Sequence, residues 1–246
     1  MQIEAILFDL FDTLVLIRHN EAYYEPCLRK AHEFLTKNGV NVSFEVFSRV
    51  YFDVRDKFYS ESRKTLEEPH FNVRISQTLQ KLGYNLAASD IIVAGTTNAF
   101  ANEFMRYIDV DKNAFEILKK LKTKYKLALV SNFAIPECVW NLLDRFNLKS
   151  FFDVIVISGE INQRKPSPKI FEKALQSLQV KASKTVFIGD TPDLDVIGPK
   201  NIGINTILIE RKPTKEKTNM KPDKTITDLT EILAILEHWP KNNNTY

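Results

Sequence analysis

Residues 5–15 read AILFDLFDTLV: an apolar run stops at Asp9, Phe11 follows, and a second carboxylate, Asp12, precedes the return of apolar character at Leu14. The run Ile6-Leu7-Phe8 is continuous rather than alternating, which is the pattern of a strand covered on both faces, as in parallel sheets flanked by helices. Further runs end at a polar residue in the same way: residues 127–130 before Ser131, 154–157 before Ser158, and 186–188 before Gly189-Asp190. Another apolar run occupies residues 204–209. Between them, Phe115, Leu118 and Leu121, then Val139, Leu142, Leu143 and Phe146, then Ile170, Phe171, Ala174, Leu175 and Leu178 recur at spacings of three and four, the period of amphipathic helices. Strand and helix alternating from about residue 110 onward predict an α/β fold with a doubly wound, Rossmann-like parallel sheet. In such a sheet, ligands bind beyond the carboxyl ends of the strands, where Asp9, Ser131 and Asp190 would sit.

The first run is separated from the second by roughly a hundred residues, too many for one crossover, so a separate unit is inserted there. Residues 20–39, 43–62, 71–83 and 89–107 are rich in charge and aromatics and carry no strand-like run bounded by turns. They predict an all-helical cap of about four helices, spanning 15–106, with the core formed by 1–14 and 107–246. The length of 246 residues, 44% of them hydrophobic and 11% aromatic, accommodates both units.

Asp9, Ser131, Lys165 and Asp190 follow one another as carboxylate, hydroxyl, ammonium and carboxylate, and the set has a physical logic. A carboxylate that attacks a phosphate approaches a group that is itself anionic, and two unit charges ~4 Å apart repel by about 4 kcal/mol at an effective dielectric of about 20. Cations are therefore needed. Asp9 and Asp190 on neighbouring strand ends can hold one hard divalent ion such as Mg²⁺, with Asp195 orienting its ligands or joining them. Lys165 supplies a second positive charge and Ser131 a hydroxyl donor.

The chain resembles the haloacid dehalogenase-like hydrolase superfamily over nearly its whole length: FDLFDTLV is similar to the family's first motif, LVSNF to the second, RKPSPKIF to the third and FIGDTPDLDVIGPKNIG to the fourth. The insertion resembles the family's first-type cap. The resemblance implies a hydrolase in which Asp9 is the nucleophile and forms an aspartyl-phosphate that water then hydrolyses. It also implies Ser131, Asn132 and Lys165 as substrate-binding residues, and the main-chain carbonyl of Phe11 as a metal ligand beside Asp9, Asp190 and Asp195. Mg²⁺ is the expected cofactor, and a small phosphate ester the expected substrate.

Phe11 departs from the family's phosphatases, in which a second aspartate two places after the nucleophile protonates the leaving group. Asp12 stands where a glycine is common; its carboxylate either replaces that acid or bonds to nearby backbone, the usual habit of aspartate in a turn. An aromatic at position 11 is similar to the metal-free branch that removes halide from 2-haloacids. That branch, however, has a serine where this chain has Asp190, an asparagine at Pro192 and a tyrosine at Phe171. The preferred reading is thus a metal-dependent phosphatase; a 2-haloacid dehalogenase and a catalytically weak binding protein stay open beside it.

Other features read as bland. A net charge of +3, from 34 basic and 31 acidic residues, points to neither nucleic acid nor membrane as a partner. The basic stretches LKKLKTKYK and RKPTKEKTNMKPDK read as solvated surface, and the KNNNTY tail as frayed. Cys27 and Cys138 fit no metal-ligand spacing and read as buried residues or free thiols, consistent with a reducing compartment. No run reaches ~18 uncharged apolar residues and no leader pattern is evident, so a cytoplasmic protein is expected. His19, His32, His70 and His238 show no ligand spacing; only His19, with Arg18, lies at the hinge between core and cap. Tyr23, Tyr24 and Arg29 could face a substrate but are assigned to packing. Leu229, Ile232, Leu233 and Leu236 predict a last helix that covers the sheet.

Overall fold

The computed structural model describes residues 2–18, 22–211 and 220–239; His19, most of the second basic stretch and the KNNNTY tail lie outside the described residues. The chain forms β1 (Ala5–Phe8), β2 (Val15–Ile17), α1 (Tyr24–Lys37), α2 (Phe44–Thr65), α3 (Phe71–Lys81), α4 (Ile91–Phe104) and β3 (Ile108–Val110). There follow α5 (Ala114–Lys122), β4 (Lys126–Ser131), α6 (Pro136–Arg145), β5 (Val154–Ile157), α7 (Ser158–Ile161), α8 (Pro168–Leu178) and β6 (Thr185–Gly189). A π-helical turn (Pro192–Ile197), α9 (Gly198–Lys200), β7 (Asn205–Ile209), β8 (Lys224–Ile226) and α10 (Glu231–Glu237) complete it.

The main sheet has the order β5-β4-β1-β6-β7-β8 and is parallel throughout. Its apolar runs serve two cores, because successive side chains of a strand point to opposite faces. Ile6, Phe8, Leu127, Leu129, Val186 and Ile188 face one cluster, with α5, α6 and α10. Ala5, Leu7, Ala128, Val130 and Phe187 face the other, with α8. The Rossmann-like α/β expectation holds, and so does the last helix, whose Ile232 and Leu236 are buried.

The inserted segment holds α1–α4. Ser43 caps α2 by accepting from the Val46 N–H, and Asp90 caps α4 by accepting from the Ile92 N–H. Helices α1 and α4 pack through Cys27, Leu28, Ala31, Leu35, Phe100 and Phe104, all buried.

Three strands escaped the sequence reading. β2 and β3 form an antiparallel pair at the base of the insertion, Val15 opposite Val110 and Ile17 opposite Ile108. β8, with Ile226 its one buried residue, extends the sheet edge. Each is three residues long, too short to leave a periodic signal. Phe115 also corrects the expected face of α5. It is exposed and packs edge-on against Phe151, while Ala114, Ile117, Leu118 and Leu121 form the buried stripe. Both cysteines are free and buried, and burial pushes their thiols above the usual range. Among the described residues no helix is long and apolar enough to cross a membrane.

Candidate active site

The order of strand addition reverses about β1: the chain passes from β1 to β4 and β5 on one side, then returns to β6 on the other. That reversal opens a crevice at the strand ends, the common ligand position in such sheets. Asp9 is the first residue beyond β1, and its N–H donates to the Ile188 carbonyl of β6 at 2.9 Å. Ser131 ends β4, while Asp190 follows β6, so pairing of the strands brings all three to one end of the sheet.

Lys165, on the loop before α8, is 1% exposed and reaches this point from the side. Its Nζ donates to Asp9 Oδ1 at 2.6 Å and to Asp195 Oδ1 at 2.8 Å. Its backbone is clamped by Asn132: the Lys165 N–H donates to Asn132 Oδ1 at 2.8 Å, and Asn132 Nδ2 donates to the Lys165 carbonyl at 3.1 Å. Asp195, from the π-helical turn, is buried, and its Oδ2 accepts from the Thr191 N–H at 3.0 Å. This carboxylate explains Gly189, because a Cβ there would lie 2.4 Å from it.

Carboxylate oxygens of Asp9, Asp190 and Asp195 lie within 4.8 Å of one another. Burial pushes the Asp9 carboxyl up to about 6, Asp195 adding to the rise and Lys165 opposing it. Burial, then Asp9, Asp195 and Asp12, push Asp190 up to about 8. Burial alone would lower Lys165, but Asp195 and Asp9 raise it, so the ammonium stays charged. Asp9 and Asp195 thus share one buried ammonium, with the Asp190 carboxyl group close by, an all-oxygen cluster that a hard cation would suit.

Ser131 is fully buried, and among the described residues its Oγ has no hydrogen-bond partner. Such a hydroxyl is costly to bury and suits a ligand oxygen. Asp9, Asp190, Asp195 and Lys165 therefore lie together, Ser131 ends the neighbouring strand, and the Asn132 side chain is spent on the Lys165 backbone. Phe11 turns into an aromatic group, its ring centroid 4.7 Å from Phe133 and 5.9 Å from Phe104. Asp12 adopts a left-handed φ of +56°, which accounts for a position where glycine would serve, and its Oδ1 accepts from the Ile17 N–H at 3.1 Å.

Several supporting residues were not legible from motifs. Arg211, just after β7, donates to the Thr13 carbonyl at 2.7 Å and pairs with the buried Asp111 at 2.8 Å, bracing the turn after Asp9. Glu68, between α2 and α3, accepts from the buried Ser158 hydroxyl at 2.7 Å, and Ser158 Oγ in turn accepts from the Phe133 N–H at 2.8 Å. The Arg164 N–H donates to the Leu66 carbonyl and the Phe71 N–H to the Ala134 carbonyl, so the loop before α3 is tied to the strand ends. Tyr23 and Tyr24 line a cavity beside Phe11, contrary to their assignment to packing alone, whereas Arg29 is exposed and paired with Glu25. The only signal for the tyrosines was their place on the first inserted helix.

A protein of Pyrococcus furiosus named glyceraldehyde 3-phosphate phosphatase is 28% identical over 241 residues, covering 96% of this chain and 94% of its own. Among solved structures, a 2-haloacid dehalogenase from Pseudomonas syringae pv. Tomato superposes with a TM-score of 0.75 at 19% identity, covering 97% of this chain and 100% of that one. A HAD phosphatase from Thermococcus onnurineus superposes with a TM-score of 0.62 at 23% identity, covering 95% and 98%. At these identities the structures speak for the fold, which a phosphatase and a dehalogenase share. The family model of haloacid dehalogenase-like hydrolase matches residues 45–209, and the chain belongs to that family.

Proposed function

We propose that this hydrolase is a metal-dependent phosphatase acting on a small phosphate monoester, with Asp9 as the nucleophile. The observation that carries the reading is the gathering of Asp9, Asp190 and Asp195, two of them bound to buried Lys165, with a Ser131 hydroxyl on the neighbouring strand that has no partner among the described residues. The printed name of the Pyrococcus furiosus relative points the same way. The three carboxylates, with the Phe11 carbonyl, would hold Mg²⁺, a fit supported by an all-oxygen donor set carrying excess negative charge. When bound, the ion supplies positive charge that lets an anionic ester approach a carboxylate.

The chain's own groups do the rest. Lys165 holds Asp9 Oδ1 and so fixes the orientation of the attacking carboxylate. Asp9 forms a bond to phosphorus as the ester oxygen leaves with its electron pair and takes a proton from solvent; water then attacks phosphorus, the Asp9 oxygen–phosphorus bond breaks, and phosphate and a proton are released as the carboxylate is restored. Ser131 donates to a phosphate oxygen, and Asn132 keeps Lys165 in place. Residues 1–14 and 107–246 form the catalytic core in this reading. Residues 15–106 form a cap that excludes water on closing, with β2 and β3 at its hinge.

Phosphate release from p-nitrophenyl phosphate with and without Mg²⁺ tests the proposal. Release that depends on Mg²⁺ and vanishes in Asp9→Asn, with the fold unchanged by circular dichroism, is expected. Halide release from a 2-haloacid without metal, or near-parent activity in Asp9→Asn, would overturn it.

A further inference from the structure

Between the inserted helices and the core lies a cavity of about 300 Å³. Phe11, two residues after Asp9, and Asn132, next to Ser131, belong to its wall, so it adjoins the proposed reaction centre. Phe71, Phe100, Phe104, Phe133, Tyr23 and Tyr24 make most of the remainder apolar and aromatic. Three charged side chains interrupt that surface: Glu68, Arg164 and Arg74.

Two of the three answer each other. Glu68 accepts from the Ser158 hydroxyl at 2.7 Å, and its other oxygen lies 3.8 Å from Arg164 Nη1. Arg74, on α3, is 8% exposed, and among the described residues no carboxylate oxygen lies within the 4.0 Å of an ion pair. Its guanidinium lies 5.0 Å from the ring centroid of Phe71, 5.1 Å from Tyr59 and 5.8 Å from Phe58. The one hydrogen bond of its side chain among the described residues is a long contact of 3.4 Å to the Tyr51 hydroxyl, and Nε has no partner. Aromatic faces return only part of the hydration a buried guanidinium gives up. An arginine placed this way is a cation awaiting an anion.

Resting on the phosphatase reading, we propose that this cavity receives the leaving group of the ester and that Arg74 recognises a carboxylate carried on it. The substrate class is then a phosphate monoester of an apolar or aromatic body bearing a carboxylate. Apolar walls suit the body, while the planar fork of donors suits a carboxylate, and the volume suits one ring rather than an extended chain. Arg74 would act in specificity, discriminating an anion from its neutral isostere.

The test uses 3- and 4-carboxyphenyl phosphate against the corresponding carbamoylphenyl phosphates. Binding is measured by calorimetry on Asp9→Asn protein with Mg²⁺, and turnover on the parent. At least one carboxylate ester should bind roughly tenfold tighter than its carboxamide, the scale of one charge-assisted pair. Arg74→Gln in the same background should bring the ratio to about 1, and Arg74→Lys should keep part of the preference, since it keeps the charge but not the fork. Equal binding of both members of each pair, or no binding of either, would overturn the inference without recourse to any variant of Arg74. A preference that survives in folded Arg74→Gln would do the same. A carboxylate preference without phosphate release by the parent would instead remove the phosphatase reading and leave the anion subsite standing.

Discussion

Replacing Lys165 by Met should destabilise the metal-free protein more than any other single change in the site. Met matches the length of the apolar stem, so the perturbation is chiefly loss of the ammonium. That ammonium is 1% exposed and donates to Asp9 Oδ1 at 2.6 Å and Asp195 Oδ1 at 2.8 Å. Its removal leaves the buried carboxylates of Asp9 and Asp195 and the half-buried Asp190 within 4.8 Å of one another without that cation. Removing one partner of a buried ion pair typically costs about 3–5 kcal/mol, because the other charge stays buried. At roughly 2–4 °C per kcal/mol for a chain of this size, the melting temperature should fall by roughly 6–20 °C. The measurement is thermal unfolding by circular dichroism at ~pH 8 in chelator, where Asp9, raised only to about 6, is charged. Adding Asp9→Asn to Lys165→Met should recover at least part of the loss, a coupling that a double-mutant cycle isolates. A melting temperature for Lys165→Met within about 2 °C of the parent, or no recovery in the double variant, would refute the ion-pair account.

Mg²⁺ should raise the melting temperature of the parent, by an amount equivalent to about 2.7 kcal/mol at a concentration 100 times Kd, and Asp190→Ala should abolish the shift. No shift at millimolar Mg²⁺ would argue strongly against the metal centre. In chelator, the protein should be harder to unfold at ~pH 5 than at ~pH 8. Asp190 and Asp9 have folded values raised to about 8 and about 6, so the folded state holds protons that the unfolded state has released, and that stability is lost as pH rises through the folded values. Asp190→Asn should flatten the profile in urea unfolding; an unchanged slope would remove Asp190 as its source. With Phe11 where an acid would stand, aryl and acyl phosphates, whose leaving groups need little protonation, should turn over well, and alkyl phosphates should lag by roughly the 10² to 10⁴ of general acid catalysis. Phe11→Asp should narrow that gap at some cost in stability, because Phe11 packs on Phe104 and Phe133. Equal rates for both classes in the parent would show that position 11 does not matter.

The strands of the core were legible because burial on both faces writes a continuous apolar run, and α8 because five buried residues recur at helical spacing. Asp9, Ser131 and Asp190 were legible because each stands where such a run ends, whereas Lys165, on a loop, was legible only through the motif it resembles. Phe115 was misassigned to the buried face of α5, since three apolar residues at spacing three left the rotation of the helix open by one position; Ala114 and Ile117 decide it. Asp12 illustrates a different limit. Its two readings differ only in what its carboxylate meets, and the bond from the Ile17 N–H depends on how β2 leaves the turn.

By itself, then, the sequence determined the α/β core, the helical character of the insertion and the identity of the residues at the strand ends. These follow from periodicity and strand termination, which are properties of neighbours along the chain. Tertiary structure alone decided that Lys165 reaches Asp9 across 156 positions, that Gly189 makes room for Asp195, and that Arg211 braces the turn beyond β1. It alone decided that Arg74 stands in a largely aromatic cavity with, among the described residues, no carboxylate at ion-pair distance. Local spacing states which side chain a residue has; only packing states which charges it meets once water is removed, and in a buried site that sets its chemistry.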